Sequence, residues 1–301
     1  MRICKVCAGE PNIIFRGLKD LEYNIAGRFD FYKCQKCGLI FMDSVPDEKT
    51  LASFYPLDYH GYNKPQSKLT NFLVSLNLKS RANFYKKLIG QGGKILDVGS
   101  SEGGHFEKLS QIGKWDFFGV EFKEEIAQKG RQAGRNIETA TIETCTFANG
   151  QFDLIIMNHL IEHVFDPVAT MQKAAELLKD DGYVVGETPN TDSLDFKIFK
   201  KYWGGMHVPR HTYLFSPNSL KILFEKNGLT LKAIFFSPDT SHWSVSAQNF
   251  LRRNKTGKKI KQGRTKYYPF LLLAFLPLNL IQKILGKTGI IRFVARKENA
   301  I

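Results

Sequence analysis

The residues of this chain whose types and spacing could do chemistry fall into three groups. At the amino end, Cys4-x-x-Cys7 and Cys34-x-x-Cys37 offer four thiolates in two pairs. Soft sulfur ligands repeated at this spacing match a closed tetrahedral zinc site, which holds together a segment too short to build a core of its own. With sulfur at all four positions there is no opening for water, so the expected role is structural. A disulfide or redox pair accounts for one such motif but not for its repetition. The chain starts at Met1-Arg2-Ile3-Cys4, directly on a ligand and without a signal-peptide pattern. Cys145 stands alone and reads as a packed thiol.

The second group is Gly92 to Gly104, G-G-K-I-L-D-V-G-S-S-E-G-G. An apolar run ends in Asp97, turns through Gly99 and Gly103 and enters a helix near His105. A second apolar run, Phe117 to Val120, ends in Glu121. This is half of a nucleotide-binding unit, with a carboxylate at the next strand end able to take the two hydroxyls of a ribose. The middle glycine of a dinucleotide fingerprint is replaced by Ser101, and the first strand ends in an acid. Both differences favour a cofactor carrying a cation and no phosphate, and S-adenosylmethionine fits.

The third group follows another buried strand that opens at Phe152-Asp153 and ends at Asn158: Asn158-His159-Leu160-Ile161-Glu162-His163. A histidine titrates near neutrality and can act as a base, and an adjacent carboxylate orients it or raises its basicity. His163 is the first candidate, with Glu162 as its partner and His159 as the alternative. A role for His163 in packing under the sheet is the structural alternative. Farther on, Trp203 to Tyr213 concentrates polar groups. Pro209 keeps one regular helix from aligning His207 with His211, which disfavours a metal pair there. Arg210 could clamp a phosphate or carboxylate of the acceptor, with His211 beside it, and a plain structural loop is the equal alternative.

On these motifs the chain resembles the class I S-adenosylmethionine-dependent methyltransferases over about residues 85–236. The resemblance implies an α/β, Rossmann-like doubly wound sheet of seven strands. It places Asp97, Gly99, Ser100 and Gly103 on the first cofactor motif and Glu121, with Phe122 beside it, on the ribose acid. Thr141 and Ile142 fall near the adenine-contacting segment, and Asn158 at the end of the fourth strand. The Ile161-Glu162-His163-Val164 segment resembles quinone-biosynthesis O-methyltransferases. A zinc ribbon ahead of the fold resembles methyltransferases of sugar and polysaccharide biosynthesis. The chain is shorter than sugar C-methyltransferases and lacks their extra carboxy-terminal domain, so O-methylation of a sugar, nucleotide sugar or glycan is the first expectation. The alternatives are an RNA-directed methyltransferase, a small-molecule or quinone-type O-methyltransferase, and a non-catalytic cofactor-binding partner. Nucleic acid is disfavoured because the fourth-strand exit is not Asn-Pro-Pro-Tyr.

These groups need elements to position them. Alternating apolar runs predict strands at residues 94–98, 116–121, 137–139, 152–158, 183–188, 230–236 and 290–295, and helices at 104–112, 123–133, 167–178 and 216–227. Such alternation implies a parallel sheet covered on both faces. The 301 residues, 43% of them hydrophobic, suffice for one large core and a small appendage. The expected division is a zinc ribbon over 1–43, an aromatic connector and helical lead-in over 44–90, the cofactor-binding core over 91–236, a basic and apolar insertion over 237–289, and a final strand and tail over 290–301.

The net charge is +14. Arg252, Arg253, Lys255, Lys258, Lys259, Lys261, Arg264 and Lys266 sit in one window before an apolar run from Tyr267 to Ile281. That run is shorter than the ~20 residues that span a bilayer and holds two prolines. It reads either as a core-covering helix pair beside a basic loop or as a surface resting on anionic lipid. The basic window has no interleaved aromatics for base stacking. The expected location is cytoplasmic, with the inner membrane face as the alternative, and the oligomeric state stays open.

Overall fold

The computed structural model describes residues 2–55, 68–254, 260 and 263–298. Residues 56–67 of the aromatic connector, and Lys255, Lys258, Lys259 and Lys261 of the basic window, lie outside the described ones.

The chain begins with a small antiparallel meander, β1 (Pro11–Leu18), β2 (Phe29–Cys34) and β3 (Ile40–Met42), followed by helices α1 (Glu48–Ser53) and α2 (Lys68–Ile89). Alternation then sets in: β4 (Lys94–Val98), α3 (Phe106–Gly113), β5 (Asp116–Glu121), α4 (Glu124–Gln132), β6 (Asn136–Thr139), β7 (Phe152–Asn158), α5 (Pro167–Leu177) and β8 (Leu178–Pro189). After α6 (Leu194–Phe199) and two 3-10 turns come β9 (Tyr213–Leu214), α7 (Pro217–Lys226), β10 (Leu229–Ser237), α8 (Ser241–Arg252), α9 (Tyr268–Ala274), α10 (Leu276–Ile284) and β11 (Ile290–Lys297).

Seven strands form one sheet in the order β10-β11-β8-β7-β4-β5-β6. Only β11 is antiparallel to its neighbours. This is the doubly wound α/β sheet expected from the sequence, with all seven strands in the expected places. The largest boundary difference is in β8. β8 starts at Leu178, directly after α5, because Leu178 is buried and pairs with Phe152.

β7 runs through the middle of the sheet, and Leu154, Ile155, Ile156 and Met157 are all sealed from solvent, as a strand covered on both faces requires. Truncating Ile155 to alanine would cost about 2–5 kcal/mol through lost burial and the cavity left behind. The chain leaves β4 toward β5 and β6, then returns to place β7 on the other side of β4. The carboxyl ends of β4 and β7 therefore flank the crevice where open α/β sheets bind ligands.

The amino-terminal meander does not stand apart from this core. β9 pairs with β3, Ile40 opposite Leu214 and Phe41 opposite Tyr213, and completes a second, four-stranded sheet. Asn218 Nδ2 donates to the Cys37 carbonyl at 3.0 Å, and Lys5 Nζ reaches the Asp166 carboxylate at 2.9 Å. Helices α8, α9 and α10 are inserted between the paired strands β10 and β11. Pro269 and Pro277 each fall in the first turn of a helix, where a missing N–H costs nothing, so the prolines start α9 and α10 rather than break them. Among the described residues, no helix is long and apolar enough to cross a membrane.

Candidate active site

A cavity of about 420 Å³ opens at the carboxyl ends of β4, β5 and β7. One wall is made by Val98, Gly99, Val120, Phe122, Thr141 and Ile142, and the other by Leu51, Tyr55, Leu160, His163, Val164 and Phe165.

The first wall owes its shape to the glycine-rich turn. Gly99 and Gly103 hold φ of +73° and +67°, and Ser101 adopts +52°, so even the serine departure keeps the left-handed turn. The turn is pinned by main-chain bonds: the Gly99 and Ser100 N–H groups donate to the Val120 carbonyl. Glu121 is buried, and its two oxygens accept from the backbone N–H groups of Ser101 and Lys123, each at 3.1 Å. Burial pushes its carboxyl up, against these two donors. Each carboxylate oxygen keeps a further lone pair for a ligand hydroxyl. Asp97 is also buried and lies 2.9 Å from His105 Nε2.

Two expected cofactor residues are placed differently. The Ser100 side chain is packed under the sheet against Gly119, where any Cβ would overlap it, so Ser100 offers its backbone rather than its hydroxyl. Asn158 does not line this cavity. It faces a small separate cleft with Arg81, Phe84 and Arg292.

The second wall holds the titratable cluster. Glu162 is fully buried, with Oε1 3.3 Å from His159 Nδ1 and Oε2 accepting from the Thr188 hydroxyl at 3.1 Å. Burial raises its carboxyl, but the His159 hydrogen bond and the imidazoles of His163 and His159 beside it outweigh this and hold it low. For His159, burial acts downward, and the Glu162 and Glu187 carboxylates together lift it above the ordinary histidine value.

His163 Nδ1 lies 3.0 Å from the Arg210 carbonyl oxygen and 2.7 Å from the Tyr55 hydroxyl. A carbonyl only accepts, so the tautomer assigned by this network carries its proton on Nδ1 and keeps the Nε2 lone pair. Burial lowers the His163 pKa, against the pull of Glu162. The ring is neutral at pH 7 and basic at Nε2.

The His163 ring centroid stands 4.5 Å from that of His211, which stands 4.8 Å from that of His207. His211 is buried, donates Nδ1–H to the Gly205 carbonyl at 2.8 Å, and is held well below the ordinary value by burial and by the neighbouring His163, His207 and Arg210. Glu162, His163 and His211 bring ligand-type atoms within 4.8 Å of one another, but named protein partners take the Glu162 oxygens and both Nδ1 atoms.

The expectation that Arg210 and His211 touch the acceptor needs correction. Arg210 is fully buried, with Nη1 3.2 Å from Asp20 and Nη2 3.4 Å from Glu22, and its guanidinium stacks on Tyr23. Its charge is neutralised by the amino-terminal module, and its contribution to the cavity is the carbonyl that orients His163. Tyr55 was missed as a site residue. Its only signal was membership of an aromatic connector, and nothing in that spacing brings it to a histidine 108 residues away.

The four expected metal-ligating cysteines converge. Cys4 and Cys37 sulfurs are 3.7 Å apart, Cys7 and Cys34 3.3 Å, and all four lie within 4.8 Å of one another. A tetrahedron with zinc–sulfur bonds of ~2.3 Å has sulfurs about 3.8 Å apart, so the donor set fits zinc. Each pair sits in the same turn: Cys4 N–H bonds the Gly9 carbonyl and Ala8 N–H the Cys4 carbonyl, just as Cys34 pairs with Leu39 and Gly38 with Cys34. A Cβ on Gly9 would come within 3.0 Å of the Cys34 sulfur, so only glycine lets the first knuckle close. The hydrogen bond from Cys37 pulls the Cys4 thiol down to about 5 and pushes Cys37 up. Cys145 is buried, as a packed thiol should be.

A family model described as a methyltransferase domain matches residues 73–234. A ubiquinone biosynthesis O-methyltransferase of Cereibacter sphaeroides is 30% identical over 171 residues, 52% of this chain and 69% of that protein. One of the same name from Ruegeria pomeroyi is 26% identical, covering 63% of this chain and 84% of its own length. Among solved structures, a Galdieria sulphuraria protein described as a sarcosine dimethylglycine methyltransferase superposes with a TM-score of 0.52. It is 16% identical, covers 76% of this chain and 87% of that one, and so speaks to the fold alone.

Proposed function

The chain belongs to the methyltransferase-domain family and is an S-adenosylmethionine-dependent methyltransferase; from that premise we propose that it methylates a hydroxyl oxygen of a small molecule, with His163 as general base. The observation that carries this reading is the state of His163: a cavity-wall imidazole whose Nδ1 is anchored by the Arg210 carbonyl and Tyr55, leaving Nε2 basic.

When bound, S-adenosylmethionine supplies a sulfonium-activated methyl group. Gly99, Phe122, Thr141 and Ile142 would hold it, with Glu121 accepting from the ribose hydroxyls. Methyl transfer to oxygen is an in-line displacement, so alignment of donor and acceptor supplies much of the acceleration. The remaining task is removal of the hydroxyl proton. His163 Nε2 accepts it, and the buried Glu162 carboxylate stabilises the imidazolium that forms. Glu162 is itself held by His159 and Thr188, which makes His159 a positioning residue in this scheme.

The choice of acceptor follows the relatives. Their names point to ubiquinone biosynthesis, which favours a hydroxylated small molecule of that kind. The sugar or glycan acceptor expected from the zinc ribbon draws no support from them. The apolar second wall, with Leu51, Tyr55, Leu160 and Phe165, suits a ring better than a polyol.

Incubation with labelled cofactor and three acceptor sets tests the reading: hydroxylated aromatics, nucleotide sugars and tRNA. Label in the aromatics supports it. Label confined to nucleotide sugars or to tRNA overturns it.

Cys4, Cys7, Cys34 and Cys37 hold, in the same reading, one structural zinc per chain. Elemental analysis of protein purified under reducing conditions tests this. Metal-free protein with paired disulfides would contradict it.

A further inference from the structure

Helix α10 is built inside out. Its buried positions are polar: Asn279 and Gln282 are sealed from solvent. Gln282 accepts from the Trp243 indole at 2.6 Å and donates to the buried Asp195 carboxylate at 2.9 Å, while Asn279 accepts from the Asp239 N–H at 3.3 Å. Its outward positions are apolar. Leu280, Ile281 and Ile284 are 57%, 48% and 85% exposed, and on α9 Phe270 and Leu273 reach 72% and 68%. Water-facing helices show the opposite pattern, and an exposed apolar surface on this scale marks an interaction site.

Charge states what the face meets. From residue 240 to residue 297 the sequence contains no acidic residue. Arg264 and Lys266 precede α9, Lys283 lies on α10, Lys287 follows it, and all four are exposed. Tyr267, 62% exposed, stands at the start of α9, where an amphipathic ring suits a headgroup boundary. Neither helix is long enough to span a bilayer, so they can only lie in its surface.

We propose that α9 and α10 form an interfacial anchor that seats this protein on anionic lipid, the apolar side chains entering the headgroup boundary and the flanking cations meeting the lipid phosphates. Through the Gln282–Trp243 bond the anchor is tied to α8, whose Ser246 hydroxyl accepts from the Gly204 N–H at 2.7 Å in the turn that carries His207 and His211. These hydrogen bonds tie the proposed anchor to the segment whose His211 ring packs on His163.

Co-sedimentation of the full chain with vesicles of phosphatidylcholine alone, or of phosphatidylcholine with phosphatidylglycerol, tests the proposal. Binding is expected to the mixed vesicles at low salt and to weaken at least tenfold at high salt. Changing Arg264, Lys266, Lys283 and Lys287 to glutamine should lower partitioning about five-fold per charge. Leu273→Asp with Ile284→Asp should abolish binding and leave the melting temperature and S-adenosylhomocysteine affinity unchanged, since both side chains point away from the core. Absence of binding to the mixed vesicles overturns the proposal. So does binding that survives the two aspartates. So does a dimer in light scattering that Ile284→Asp splits while vesicles are ignored, because the face would then belong to a second copy.

Discussion

The two walls of the cavity are built in opposite ways. The wall assigned to the cofactor is local: Gly99 to Gly103, Glu121 and Phe122, and Thr141 and Ile142 follow one another along β4, β5 and the segment after β6, and main-chain bonds hold them. The acceptor wall is assembled from distant segments. His163 from the β7 exit is oriented by the Arg210 carbonyl and by Tyr55 of the connector, and Arg210 is held by Asp20 and Glu22 of the amino-terminal module. A local wall survives change elsewhere in the chain. A composite wall depends on every module that contributes to it, and the amino-terminal module holds the residue whose carbonyl orients His163.

That contrast can be broken most severely at Arg210. Its replacement by alanine leaves Asp20 and Glu22 as buried carboxylates without their cation, and should cost about 3–5 kcal/mol in urea unfolding. A loss within experimental error of zero would mean that the amino-terminal module docks without this contact. Glu121→Ala acts on the other wall. It should weaken S-adenosylhomocysteine binding by roughly 1.5–3 kcal/mol in calorimetry. If a dinucleotide binds more tightly than S-adenosylhomocysteine, the assignment of that wall is wrong. Tyr55→Phe removes one hydrogen bond to His163 and should lower turnover only several-fold, in line with about 0.5–1.5 kcal/mol, and leave cofactor affinity as it was.

The shifted histidines give the fold a pH signature. His163, His211 and His242 have folded-state pKa values below the unfolded value of ~6.5, so the unfolded chain binds more protons as pH falls. Their contribution to stability is complete above ~6.5 and is lost on acidification below it. His159 is shifted upward and has the opposite sign: its contribution is present below ~6.5 and fades as pH rises through its folded value. Because three groups oppose one, unfolding at constant temperature should show net destabilisation between pH 6.5 and 5. Alanine at His211 should shrink that slope.

The same contrast explains what could be read from the sequence. The seven strands, the glycine-rich turn and Glu121 declare themselves through short-range patterns, since periodicity and turn chemistry act within a few residues. The four cysteines were legible because two identical knuckles repeat. Where the Ser100 side chain packs was not legible, because the space it fills is made by Gly119 on the neighbouring strand, a contact that exists only once the sheet pairs. Arg210 was misread because a cation near a pocket and a cation in a buried ion pair look alike in sequence, and its partners lie 190 residues away. Tyr55 gave no signal for the same reason. The inverted face of α10 was hidden too: an apolar run names the residues but not which side the core takes.

The central claim is that His163 removes the acceptor proton on a wall that can fail without disturbing the cofactor. Single-turnover methyl transfer by His163→Ala, measured across pH beside calorimetric S-adenosylhomocysteine affinity, tests it most directly. The account predicts a rate lowered about a hundredfold or more, loss of the acid limb that the wild type shows below the ordinary histidine range, and unchanged cofactor affinity. An undiminished rate, or a loss of cofactor affinity that accounts for the whole effect, would contradict it.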